Sequence, residues 1–125
     1  MKKILFTNDA PQAIGPYSQA TAAGDLVFIS GQLGVDPVSG QFPEGGVSAQ
    51  TEQSLKNVGA ILKQAGLDYA NVLKTTVFIT SMSDFADVNA VYSKYFTDAY
   101  PARSCVAVKE LPKGGLVEIE VIASK

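Results

Sequence analysis

The chain has 125 residues, 46% hydrophobic and 18% charged, with twelve acids against ten bases and a net charge of −2, so one domain over residues 1–125 with a real core is expected and the basic footprint of a nucleic-acid binder is lacking. The single cysteine excludes an internal disulfide, and no apolar stretch approaches the ~20 residues of a membrane helix, so a cytoplasmic location is expected. There is no histidine, which removes Ser-His-Asp and Cys-His catalysis, His-ligated zinc and imidazole-based ribonuclease chemistry together, and leaves acid–base work to carboxylates, Tyr, Lys, Cys or bound water.

In chain order, a short strand is expected around Lys3 to Phe6. Tyr17 to Ala23 and Leu26 to Gln32 then read as strands joined by the two-residue turn Gly24-Asp25. That turn pairs Ala23 with Leu26, Thr21 with Phe28, Gln19 with Ser30 and Tyr17 with Gln32, which would set Tyr17, Ser30 and Gln32 on one face. Gly31 beside them admits close approach to the backbone, or marks a bulge. Leu33 to Val47 is a loop rich in glycine and proline. Ser48 can cap a helix running to about Ala65, with Leu55, Val58, Leu62 and Ala65 as its apolar stripe and Gly66 as its stop.

Val72 to Thr80 is β-branched and strand-like. After Ser83 a second helix carries Phe85, Val88, Tyr92, Tyr95 and Phe96 on one stripe and must end before Pro101. Asn89 flanks that stripe, where a buried amide needs partners, either structural or a ligand. Ser104 to Lys109 and Leu116 to Ala123 are expected to close the chain as a hairpin. The fold class is thus α+β: a mostly antiparallel sheet with two helices on one face. The other face needs cover, which in so small a domain usually comes from another subunit.

Glu118 and Glu120 alternate onto one face of the last strand, together with Leu116 and Ile122. The face reads either as a solvated acidic surface or as one holding a desolvated carboxylate fit for proton transfer. Arg103 and Cys105 share a face of the preceding strand. Arg103 is either a surface residue or a two-pronged clamp for an organic acid. Cys105 reads as a small buried hydrophobe, and Lys74 as solvent-facing rather than a Schiff-base lysine.

The segments Ile14-Gly15-Pro16-Tyr17-Ser18-Gln19, Ser30-Gly31-Gln32, Asp84-Phe85-Ala86 with Val88-Asn89, Pro101-Ala102-Arg103-Ser104-Cys105 and Val117-Glu118-Ile119-Glu120 resemble, in order and over nearly the whole chain, the reactive intermediate deaminase (RidA, or YjgF-type) family. The resemblance implies a chorismate-mutase-like fold, a homotrimer with clefts between subunits, and hydrolysis of 2-iminobutanoate and 2-iminopropanoate to 2-keto acids and ammonia without metal or organic cofactor. It also implies roles. Arg103 would hold the substrate carboxylate, Glu118 would activate water, and Tyr17 would orient substrate or water. Ser30, Gly31, the backbone at Cys105 and Asn89 would line the pocket, with Glu120 structural. No nucleic-acid or membrane partner is expected. The rival reading is a trimeric binding module that senses keto or amino acids in a regulatory or chaperone-like role.

Overall fold

A computed structural model describes residues 1–125. In chain order it has β1 (Lys3–Leu5), β2 (Ala20–Ala23), β3 (Leu26–Leu33), α1 (Gly46–Gln64), β4 (Val72–Ile79), α2 (Phe85–Tyr95), β5 (Ala102–Ala107) and β6 (Val117–Ser124), with single 3₁₀ turns at Tyr69–Asn71, Met82–Asp84 and Pro112–Gly114. The strands form one six-stranded sheet in the order β1-β2-β3-β6-β4-β5. Both helices pack on one face, α1 over β3 and β6 and α2 against α1. Neither helix is long and apolar enough to cross a membrane.

The first hairpin has the expected register near its turn, Ala23 opposite Leu26 and Thr21 opposite Phe28. Farther out the expectation fails. Ser30 N still donates to Gln19 O at 2.9 Å, but the β3–β6 register shifts between Ile29 and Gln32 and β2 begins only at Ala20. This bulge at Ser30-Gly31 reverses the alternation, so Gln32 is buried opposite Ile119 and Ser30 is half-buried, while Tyr17 lies exposed in the loop before the short β2.

The last strands do not form the expected hairpin. β5 pairs with β4 in parallel, and β6 inserts between β3 and β4, antiparallel to both. Parallel neighbours need a crossover, and α2 supplies it, making β4-α2-β5 one unit with β5 at the sheet edge. The burial patterns agree. β6 alternates buried with half-buried or exposed residues along its length, whereas five of the six residues of β5 are exposed.

Ser48 is not the cap of α1. The helix starts at Gly46 after Gly45, whose backbone takes positive φ (121°), as does that of Gly46 (71°); glycine adopts these values without strain, so the chain turns into the helix three residues earlier. At the far end Gly66 N donates to Lys63 O and Leu67 N to Leu62 O, closing the helix as expected. The core lies between the helices and the sheet and is built from Leu55, Val58, Ile61 and Leu62 of α1, Val88 and Val91 of α2, Val77 and Ile79 of β4, and Val117, Ile119 and Val121 of β6. Ala65 is only partly buried against it.

Candidate active site

Every second residue of β6 faces the helices, so Glu118 and Glu120 point to the sheet face that no helix covers. Across that face Leu33, Glu118, Phe78 and Val106 stand in register on four strands. Ile4, Phe28 and Val106 remain exposed there. Glu118 is half-buried, and burial first, then the charge of Glu120, push its carboxyl above the ordinary range.

Glu118 forms part of a cleft of about 580 Å³ whose wall also includes Tyr17, Ser30, Gly31, Ile14, Lys113 and Glu120. The bulge that displaced Gln32 shapes this cleft. It brings Gly31 so close to Glu118 that the carboxylate occupies the space a side chain would fill. Ser30 Oγ donates to Ser18 O at 2.6 Å, tying β3 to the loop that carries Tyr17. Ile14 N donates weakly to the Tyr17 hydroxyl at 3.4 Å.

Buried polar side chains hold the walls of this cleft, and the three on α1 were not anticipated from the sequence. Gln19, 3% exposed, accepts from Thr7 N at 2.9 Å and donates to Thr7 O at 3.0 Å and Pro11 O at 2.9 Å, pinning the N-terminal loop. From α1, Ser54 Oγ donates to Gln32 O at 2.7 Å and Asn57 Nδ2 to Val35 O at 2.9 Å, while Gln50 Oε1 accepts from Leu116 N at 2.8 Å. Backbone groups at the end of β3 and the start of β6 are thereby satisfied without strand partners. A signal existed: Gln50, Ser54, Asn57 and Ile61 fall at i, i+4, i+7 and i+11, one face of a helix.

Arg103 and Asn89 are elsewhere. Thr75 pairs with Arg103 across the parallel β4–β5 edge, and Thr75 alternates with Thr76 and Phe78, the partners of Glu120 and Glu118. Arg103 therefore lies on the helix side of the sheet and Glu118 on the open side. Arg103 donates through Nη1 to Asn89 Oδ1 at 2.7 Å, with its guanidinium carbon 4.8 Å from the Tyr92 ring centroid and 5.5 Å from that of Phe85. Asn89, Tyr92, Ser93, Tyr100, Pro101 and Arg103 enclose a second hollow. One chain thus gathers Tyr17, Ser30, Gly31 and Glu118 into one cleft, and Arg103 with Asn89 into another.

Cys105 follows Arg103 by two and packs half-buried against the core. Burial raises its thiol pKa more than the nearby Arg103 lowers it, which disfavours the thiolate. Lys74 is half-buried on the open face, where its Nζ donates to Thr75 O at 3.1 Å and reaches Thr76 Oγ1 and Ser104 Oγ at 3.4 Å.

The family model described as Endoribonuclease L-PSP matches residues 7–125. A Sinorhizobium fredii protein named RutC family protein y4sK is 54% identical over 99% of this chain and 98% of its own length. A Bos taurus protein named 2-iminobutanoate/2-iminopropanoate deaminase is 53% identical over 98% of this chain and 90% of its own. Among solved structures, E. coli TdcF with bound serine superimposes with a TM-score of 0.94 at 48% identity, covering 98% of both chains. With that match and those relatives spanning almost all of its length, this chain belongs to the YjgF/RidA family.

Proposed function

We propose that the protein hydrolyses short 2-imino acids, 2-iminobutanoate and 2-iminopropanoate, to 2-keto acids and ammonia, in a site completed between two copies of the chain. The observation that carries this reading is Glu118, a half-buried carboxyl of raised pKa lying against Gly31 in an open cleft. Relatives about half identical to this chain carry that activity in their names. The lack of histidine weighs against RNA cleavage, the activity in the family model's description.

The chemistry asks little of the protein. An imine carbon is electrophilic once its nitrogen is protonated, so placing the substrate, placing a water and moving protons suffice. Arg103 binds the substrate carboxylate through two parallel hydrogen bonds. Glu118 accepts a proton from water as the water oxygen bonds to C2, giving a carbinolamine. It then returns that proton to the nitrogen; the C–N bond breaks as the C2 hydroxyl gives up its proton to Glu118 and the C=O bond forms, and ammonia and the keto acid leave. No electrons change hands. Tyr17 and Ser30 line the cleft around the attacking water.

Arg103 and Glu118 of one chain face away from each other, so each site takes Arg103 and Asn89 from one protomer and the Glu118 cleft from the next. The uncovered, partly apolar sheet face supports such an assembly, and we infer the homotrimeric, chorismate-mutase-like arrangement of the family. Mixing the protein with an amino-acid dehydratase and timing ammonia release tests the activity. Release that accelerates with catalytic amounts of protein is expected. Release unchanged at any protein concentration would refute the proposal.

A further inference from the structure

Arg103 is exposed at an edge strand, yet it does not extend freely into solvent. Its guanidinium face lies over the Tyr92 ring, 4.8 Å from the centroid, and its Nη1 donates to Asn89 Oδ1 at 2.7 Å. Tyr92 is itself only 6% exposed, and its hydroxyl hydrogen-bonds the Thr75 hydroxyl at 2.8 Å. Thr75 is fully buried on β4 and is the residue directly paired with Arg103 across the sheet. Strand pairing, the hydroxyl pair, the ring face and the Asn89 amide thus connect the base of Arg103 to its head through one short circuit of groups.

We propose that Tyr92, locked by Thr75, and Asn89 are positioning residues that hold the Arg103 guanidinium as a pre-aligned fork, so that its Nε–Nη2 edge meets the substrate carboxylate. The inference rests on the role given to Arg103 in the proposed function. A free arginine loses much rotamer entropy when it orders around a ligand, whereas a planar head already stacked and tethered loses less. Asn89 occupies a donor on Nη1, which turns the opposite edge of the plane to the ligand. The ring beneath it supplies a cation–π contact in a partly desolvated hollow.

The test compares wild type with Tyr92→Leu, Tyr92→Phe and Asn89→Ala by titration with 2-ketobutanoate, by KM and kcat for 2-iminobutanoate, and by thermal unfolding. Tyr92→Leu is expected to weaken keto-acid binding and raise KM about tenfold, the size of one partly desolvated cation–π contact, with kcat much less affected. Tyr92→Phe keeps the ring face and should recover most of that loss. Asn89→Ala, on the helix surface, should weaken binding in the same direction, and it decides the matter if Tyr92→Leu does not fold. Keto-acid affinity unchanged in a folded Tyr92→Leu or in Asn89→Ala would overturn the inference, as would Tyr92→Phe being as impaired as Tyr92→Leu. A wild type that binds 2-ketobutanoate through this fork but does not hydrolyse the imine would refute the proposed reaction and uphold the positioning. A wild type that binds no keto acid would refute both.

Discussion

A methyl group on Gly31 would lie 2.8 Å from the Glu118 carboxyl carbon and 2.9 Å from its Cγ. Those distances are too short for carbon atoms, so the missing side chain at position 31 is what lets the carboxylate lie against the bulge. The colliding atoms are the far end of a flexible side chain, which can swing away. Gly31→Ala should therefore fold normally and lose activity by roughly 10²-fold, the penalty of a misplaced catalytic group. Unfolding temperature and steady-state imine hydrolysis measured together decide it, and full activity would show that this contact does not place Glu118.

Glu118→Gln keeps the size and most hydrogen bonding but removes the proposed base. Turnover should fall by roughly 10²- to 10⁴-fold while 2-ketobutanoate still binds. Its stability should move the other way. Because the folded-state pKa of Glu118 is raised, ionising it costs the folded state, so stability present below about pH 4.5, the ordinary carboxyl value, is lost as pH rises through the raised pKa. The glutamine variant should consequently melt higher than wild type at neutral pH, an advantage that shrinks on acidification. A lower melting point at neutral pH would contradict burial as the main cause of the shift.

Glu120 contributes to that shift through its charge alone. Glu120→Gln should leave turnover nearly intact and move the acidic limb of the pH–rate profile to lower pH, since Glu118 ionises more easily without a negative neighbour. A selective collapse of turnover would identify Glu120, not Glu118, as the base.

Much of this could be read from the sequence, and the failures have physical causes. The Gly24-Asp25 turn and period-two alternation were enough to set Thr21 opposite Phe28 and to place both acids of β6 on one face. Gln32 falls on the other face because one extra residue at Ser30-Gly31 reverses the alternation, and alternation cannot show its own interruption; Tyr17 lies in a loop because β2 begins only at Ala20, although it still shares the cleft with Ser30. β5 was paired with its sequence neighbour β6, whereas the crossover through α2 lays it beside β4. That same topology puts Arg103 and Glu118 on opposite faces, a separation that the parity of each strand alone does not reveal. Gln50, Ser54 and Asn57 went unnoticed because polar residues within an apolar stripe resemble a solvent face until the loop they hold is known.

Arg103→Lys should be severely impaired, with kcat/KM reduced at least roughly 10²-fold, since a point-like ammonium offers neither the two-pronged fork nor a flat face for Tyr92. Comparison of kcat/KM for the two proteins checks this, and near-normal activity would remove the carboxylate clamp from the account.

If a working site combines Arg103 of one protomer with Glu118 of another, chains carrying Arg103→Ala and chains carrying Glu118→Gln should each be inactive when assembled alone. When they are co-expressed and purified as mixed oligomers, roughly a quarter of the interfaces in a randomly assembled ring bring an intact Arg103 against an intact Glu118. The mixture should regain imine hydrolysis in about that proportion, and mixed oligomers as inactive as either parent would rule out a site shared between protomers.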